Sequence, residues 1–232
     1  MLNDIKLSII IPCYNEKNTI GEILNKIDEL KLNKEVIVVN DGSTDGSQEE
    51  LENLQKKFNF KVLHHKKNLG KSEAIKTALN FISGDFVIIQ DADLEYSPSD
   101  YQNLLNFALK ENAQVVYGSR RFTSQNKQSS SLLYYLGGIF LTWLTNILYG
   151  TRITDVTTCY KLFKAELIKN IQLKSKRFEF CGEITAKIAK KGIKISEVSI
   201  KYFPRNRKEG KKLKWQDGLK IAWTLIKYRF ID

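Results

Sequence analysis

Proline, cysteine and flexible linker sequence are what this chain has least of. Three prolines in 232 residues leave no Pro-rich spacer, and no Ser/Gly tract, low-complexity stretch or internal repeat divides the chain. One domain over 1–232 is expected, long enough to bury a full α/β core. Cys13, Cys159 and Cys181 are the three cysteines. They form neither a CxxC pair nor a paired-disulfide framework, which excludes a disulfide-stapled scaffold and points to buried thiols in a reducing compartment. Residues 1–6 lead directly into a β-rich run, without the basic region and long apolar stretch of a signal peptide, so a cytoplasmic location is expected. GxxxxGK[ST] and GxGxxG are both missing, which excludes a P-loop and leaves no dinucleotide fingerprint.

Acidic residues are outnumbered. The net charge of +11 favours an anionic partner: nucleic acid, a nucleotide, a phospholipid surface or a phosphorylated lipid. Most of the excess is C-terminal, where residues 201–232 hold ten Lys and Arg against three Asp and Glu.

Short apolar runs, LSIII (7–11), VIVV (36–39), FVII (86–89) and QVVYG (114–118), are β-branched and scarcely alternate, as strands buried on both faces of a mainly parallel sheet do. Helical patterns lie between them. Thr19 and Glu22 have capping-box spacing, and Ser97, Pro98 and Asp100 give an N-cap, a first-turn proline and a first-turn acid. The resulting βα alternation predicts a doubly wound, Rossmann-like sheet flanked by helices, with ligands beyond the carboxyl ends of the strands. Those ends read PCYNE, NDGSTD, QDADLEY and GSRRF, although loops favour Asp, Asn, Gly and Ser in any case.

In QDADLEY, Asp91, Asp93 and Glu95 crowd three carboxylates into five residues. Hard oxygen ligands at alternating positions suit Mg²⁺ or Mn²⁺, which can bridge a pyrophosphate. A DxD alone is common in turns that bind nothing; its place after FVII and before a helix start strengthens it. In NDGSTDGS, Asp41 could accept hydrogen bonds from a nucleobase or ribose, or the segment could be a plain strand-to-helix connection capped by Asp45 or Ser43. NLGKSEAI reads equally as a helix start with Lys71 in solvent. PRNRKEGKKL offers guanidiniums that grip phosphate bidentately and ammoniums that neutralise it.

IIIPCYNE, VVNDGSTD, NLGKSEAI, IIQDADLEY and VVYGSRRF, in this order and spacing, resemble family 2 glycosyltransferases of the GT-A fold, over roughly the first half of the chain. DVTTCYKLF, RFEFCGEITAKIAKKG and YFPRNRKEGKKLKWQDGLKIAW resemble the branch of dolichyl-phosphate mannose synthases and related polyprenyl-phosphate sugar transferases. The resemblance implies a nucleotide-sugar part over 1–120 and an acceptor and membrane-interface part over 121–232. Pro12, Tyr14, Glu16, Asp41 and Lys71 would hold the nucleotide sugar, with Asp91 and Ala92 lining it. Asp93 and Glu95 would hold the metal; the mannose synthases often have Gln where Glu95 stands, so this chain adds a charge near the pyrophosphate. Arg120 would face the reacting phosphates. The basic loop departs from the RxxGxSK pattern by a one-residue shift and by Lys211 at the serine site. Arg205 and Arg207 therefore both stand as acceptor-phosphate candidates, with Arg120 and Lys212. Asp93, Arg120 and Arg205 are the expected catalytic residues.

Residues 132–150, LLYYLGGIFLTWLTNILYG, lack any acid or base other than tyrosine and meet the ~18-residue length of a membrane span. A span would put the basic loop across the bilayer from the DxD. A buried helix is one alternative. The other, favoured by the resemblance, is helices lying in the membrane interface with Trp143, Tyr134, Tyr135 and Tyr149 at headgroup depth. WQDGLKIAWTLIKYRF could be a second surface anchor or a packed amphipathic helix. Together these features predict an inverting enzyme, peripheral on the cytoplasmic face of a membrane, alone or with a membrane partner protein. It would move a hexose from a nucleotide sugar of the GDP-mannose or UDP-glucose type to a polyprenyl or dolichyl phosphate. Nucleic acid is not an expected partner. One alternative is a family 2 transferase acting on a sugar hydroxyl, with Glu179 or Glu183 as base; the remote one is a non-enzymatic basic nucleic-acid-binding module.

Overall fold

A computed structural model of the protein describes residues 4–122, 132–205, 212 and 215–231. Its sheet has seven strands in the order β3-β2-β1-β4-β6-β5-β7. The first four strands in space, β3 (Lys61–His64), β2 (Lys34–Asn40), β1 (Leu7–Cys13) and β4 (Phe86–Ile89), run parallel. β6 (Lys161–Lys164) is antiparallel to both β4 and β5 (Val115–Ser119), and β7 (Ser196–Ser199) joins β5 in parallel. The unbroken apolar runs are explained by cover on both faces. Leu7, Ile9 and Ile11 of β1 point to one side, with Ile20 and Ile23 of α1 (Ile20–Asp28) and Leu104 and Leu105 of α4 (Tyr101–Lys110). Ile10 points to the other side, with Ala74 and Ile75 of α3 (Lys71–Leu79) and Ile184 and Ile188 of α7 (Phe180–Lys190).

The doubly wound, mainly parallel sheet expected from the sequence is present. Two local expectations differ. Thr19 makes no side-chain cap bond; its hydroxyl donates to the Glu16 carboxylate at 2.7 Å, holding a cavity residue instead. Ser97 likewise leaves its helix uncapped and bonds Ser99 at 2.8 Å, while Pro98 does open a 3₁₀ turn over Pro98–Asp100. The Asp100 carboxylate accepts the Lys201 backbone N–H at 2.9 Å, tying that turn to the C-terminal half.

α2 (Ser47–Leu54) follows β2, and α6 (Ala165–Lys169) follows β6. The charge-free segment forms α5 (Leu132–Tyr149), which packs with α8 (Trp215–Phe230) around Leu141, Ile153, Val156, Ile221 and Leu225. The Tyr149 hydroxyl donates to the Leu225 carbonyl at 2.6 Å. Among the described residues no helix is long and apolar enough to cross a membrane.

Candidate active site

The loops after β1 and β2 are stitched together. Asn15 sits at φ 51°, a conformation its short amide tolerates. Its side-chain oxygen accepts the Thr44 N–H at 2.8 Å, its own N–H donates to Ser43 Oγ at 3.0 Å, and the Glu16 N–H donates to Ser47 Oγ at 3.0 Å. Asp45, one of the residues read as a cap, accepts the Ser47 N–H at 3.0 Å. Glycine is required at 42, with φ +66°, because a Cβ there would lie 2.5 Å from the Lys67 carbonyl carbon. Asp41 uses both oxygens to hold the neighbouring loop. Oδ1 accepts the Leu69 N–H at 2.8 Å and lies 2.7 Å from His65 Nδ1, and Oδ2 accepts the Gly70 N–H at 2.8 Å. Both oxygens are thus engaged inside the protein, where they fix the loop before α3.

That loop launches α3 with Lys71 aimed inward. Lys71 is not in solvent: it pairs with Asp91 and donates to Cys159 Sγ at 3.1 Å. Burial works against the charge on both partners, yet the pair holds the Asp91 carboxyl below its ordinary range and the Lys71 ammonium well above.

Beyond Asp91 the chain turns through Leu94 at φ 63°, an uncommon conformation for a bulky side chain and the kind that gathers at functional sites. Asp93 Oδ1 accepts the Glu95 N–H at 3.1 Å, and Oδ2 lies 3.3 Å from Arg205 Nη2. Glu95 accepts the Tyr202 hydroxyl at 3.0 Å and the Arg205 N–H at 2.8 Å. Burial first, then the neighbouring charges of Asp91 and Glu95, push Asp93 up to about 7 despite Arg205. The acidic tip is short of positive charge.

The C-terminal segment reaches back across the molecule to supply some. Arg205 lies 3.0 and 3.2 Å from the two oxygens of Glu16, and Lys212 Nζ lies 2.6 Å from Oε1. Lys212 also donates to the carbonyls of Tyr14 and Asn15. Arg205 Nε is buried with no partner among the described residues. Arg207 lies outside the described residues. Arg120 is clamped by Asp155, Nε to Oδ2 at 2.6 Å and Nη2 to Oδ1 at 2.7 Å, with Nη2 also on Thr157 Oγ1 at 2.7 Å and the guanidinium 4.9 Å over the Tyr202 ring. Burial opposes ionisation of Asp155, but Arg120 overcomes it and holds that carboxyl down at about 2.

Pro12, Tyr14, Glu16, Asp41, Lys71 and the Asp91–Ala92–Asp93–Glu95 tip line one cavity of about 630 Å³ with Arg120, Arg205 and Lys212. The same cavity is also walled by apolar side chains, Tyr135, Phe140 and Leu141 of α5 and Trp215, Leu219 and Ile221 of α8. Sequence reading missed Asp155, Thr157, Cys159 and Tyr202 as part of this site. The first three fall in DVTTCYKLF, so the segment was visible but their roles were not. Glu179 and Glu183 do not line the cavity. Glu183 accepts the N–H groups of Lys174 and Ser175, each at 2.7 Å, and Lys187 Nζ at 2.6 Å; Glu179 accepts the Arg177 N–H at 3.0 Å.

The chemistry of the tip fits a divalent ion. Among the described residues no cluster of three His, Cys, Asp or Glu is gathered into a full cage, but Mg²⁺-type ions are commonly held by one or two carboxylates plus substrate phosphates. Asp93 and Glu95 offer such a partial site, where burial first and then the charges of Asp91 and Glu95 raise the Asp93 pKa.

A doubly wound sheet whose strand ends carry a DxD turn, with Arg205 and Lys212 set against its carboxylates, is the framework of a nucleotide-sugar transferase. Residues 8–172 match the model of glycosyl transferase family 2, and the chain belongs to that family. It is 29% identical to the dolichol-phosphate mannosyltransferase of Pyrococcus furiosus over 89% of this chain and 59% of that one. It is 26% identical to the UDP-N-acetylglucosamine–dolichyl-phosphate N-acetylglucosaminyltransferase of Methanococcus voltae over 94% of each. In fold it is similar to glucosyl-3-phosphoglycerate synthase of Mycobacterium tuberculosis, solved with Mn²⁺, UDP and phosphoglyceric acid, at TM-score 0.73 and 18% identity over 98% of this chain and 80% of that one.

Proposed function

We propose that this enzyme transfers a hexose from a nucleotide sugar to a polyprenyl or dolichyl phosphate at a membrane surface, inverting the anomeric centre. The observation that carries the reading is one cavity lined both by the acidic strand tips with Arg120 and Arg205 and by apolar side chains of α5 and α8. Such a lining would suit a polar donor and a lipid phosphate together. The two dolichyl-phosphate relatives take different sugars and share an acceptor type, which favours a lipid phosphate over any particular donor.

A phosphate monoester has its second pKa near ~6 and is already an anion at neutral pH, so no general base is required. The work is to bring two anions together. Asp93 and Glu95 would hold Mg²⁺ or Mn²⁺, and the bound ion supplies charge neutralisation of the leaving diphosphate. Arg205 and Lys212, now paired with Glu16, are cations that phosphate oxygens can recruit, and Arg120, aimed by Asp155, is fixed where charge develops. Residues 1–120 would serve the donor and 121–232 the acceptor. Arg205 and Cys159 also reach the donor side.

Exposed Phe140, Trp143 and Ile147 of α5 and Leu219, Trp223 and Phe230 of α8, with exposed Lys220, Lys227 and Arg229, make a face suited to the interface of the cytoplasmic leaflet. The same face would serve a membrane partner protein. A sugar-hydroxyl acceptor would need a base, and neither Glu179 nor Glu183 is placed to be one. The test is incubation of purified protein and Mn²⁺ or Mg²⁺ with a panel of nucleotide sugars and a short polyprenyl phosphate, following sugar into the organic phase. One donor is expected to label the lipid; silence with all of them contradicts the reading.

A further inference from the structure

The cavity wall holds a thiol pair that the transfer chemistry does not use. Cys159, just before β6, and Cys181, in the first turn of α7, come from different elements and line the same cavity, with the Cys181 sulfur set against the residue that precedes Cys159. Cys159 Sγ also accepts Lys71 Nζ at 3.1 Å. Cys181 Sγ lies 3.7 Å from the Thr158 carbonyl, to which buried Lys161 donates at 2.5 Å, so a second ammonium stands beside the sulfurs. The N-terminus of the 11-residue α7 adds a partial positive charge, and thiolates form where such charges converge. The neighbouring Cys159 thiol is the largest influence on Cys181; burial opposes it, and Lys161 and Lys71 assist, bringing the thiol down to about 6. The neighbouring Cys181, burial and Asp91 keep Cys159 protonated. Burial and then Glu16 push Cys13 up to about 12, leaving it inert.

We propose that Cys159 and Cys181 are a reversible peroxide-oxidised pair whose disulfide shuts down the donor side of the cavity. The Cys181 thiolate attacks one oxygen of hydrogen peroxide, the O–O bond breaks, hydroxide leaves and Cys181 becomes a sulfenic acid. The Cys159 sulfur then attacks that sulfur; the S–S bond forms, the S–O bond breaks, and the departing hydroxide leaves as water with the Cys159 proton. A second proton from solvent neutralises the first hydroxide. Two thiols are oxidised and one peroxide is reduced to water. The cross-link takes from Lys71 its sulfur partner and pulls the start of α7 toward residues 158–159, disturbing the Lys71–Asp91 pair that shapes the donor wall.

The chemical half of this inference stands alone; the regulatory half rests on the transfer reading. The full chain is treated with a graded excess of hydrogen peroxide, quenched, unfolded and alkylated. Two of the three thiols are expected to be lost, with a mass loss of two hydrogens and a 159–181 peptide cross-link, reversed by dithiothreitol. Cys181→Ser should keep its two thiols under the same dose, and Cys159→Ser should stop at sulfenic acid, trapped by dimedone. Three alkylatable thiols in treated wild type, or a cross-link that uses Cys13, overturns the pair. Transfer activity, assayed in parallel, is expected to fall by roughly 100-fold, as catalytic sites do on small misplacement, and to return with dithiothreitol. Full activity in cross-linked protein overturns the regulatory half, whereas a protein inactive before treatment fails the transfer reading and leaves the thiol count to decide the chemistry.

Discussion

Asp93 is protonated over much of the neutral range, because burial and two neighbouring carboxylates lift it to about 7. An ion bound there must displace that proton. Apparent affinity for Mn²⁺ should therefore rise roughly tenfold per pH unit below about 7 and level off above. Titration calorimetry in buffers of different ionisation enthalpy should show about one proton released per ion at pH 6; no pH dependence between 5.5 and 8 would count against Asp93 as a ligand. Asp93→Asn should lower transfer by roughly 10²–10³ with unfolding unchanged or slightly improved, since a crowded charge is removed. Asp155 has the opposite sign. Its folded pKa is about 2 against an ordinary 3.8, so the stability it contributes is intact above ~4 and is lost as pH falls toward ~2. Asp155→Asn should cost about 3 kcal/mol in urea unfolding at neutral pH, by leaving Arg120 without its counter-charge. At this scale Asp93 and Arg120 were legible because each follows an apolar strand. Asp155 was not, since its partner is 35 residues away and only the folded chain brings them together.

Among the elements, the strands that announced themselves were those with three or more consecutive apolar residues. β6 reads KLFK and β7 reads SEVS. Neither looks like a strand, because β6 is made central by neighbours recruited from elsewhere and β7 is a half-exposed edge. Lys161 is fully buried at the start of β6, a position that composition alone would assign to solvent. The charge-free segment was readable as a helix, and its length alone could not separate spanning from lying flat. Its partner α8 exposes Leu219, Trp223 and Phe230, as α5 exposes Phe140, Trp143 and Ile147. Trp143→Ser with Trp223→Ser should weaken flotation with anionic vesicles by at least ~10-fold, each indole contributing about 2 kcal/mol when immersed. Soluble nucleotide-sugar binding should be unaffected in the same variant; an unchanged flotation profile would show that the face serves something other than lipid.

On the scale of the whole molecule, the site is assembled from both halves of the chain. The first supplies carboxylates at strand ends, and the second returns Arg205 and Lys212 to Glu16 across nearly 200 positions of sequence, and Arg205 to Asp93 as well. These ion pairs neutralise the acidic site only in part, and a nucleotide diphosphate with its metal would compete for the same carboxylates. The most direct test is anomalous diffraction from crystals soaked with Mn²⁺ and the nucleotide diphosphate of the active donor. A manganese peak between Asp93, Glu95 and the diphosphate, with Arg205 moved from Asp93 onto phosphate, is the predicted result. A nucleotide bound elsewhere, or manganese absent from that tip while the Arg205–Asp93 pair persists, would contradict it.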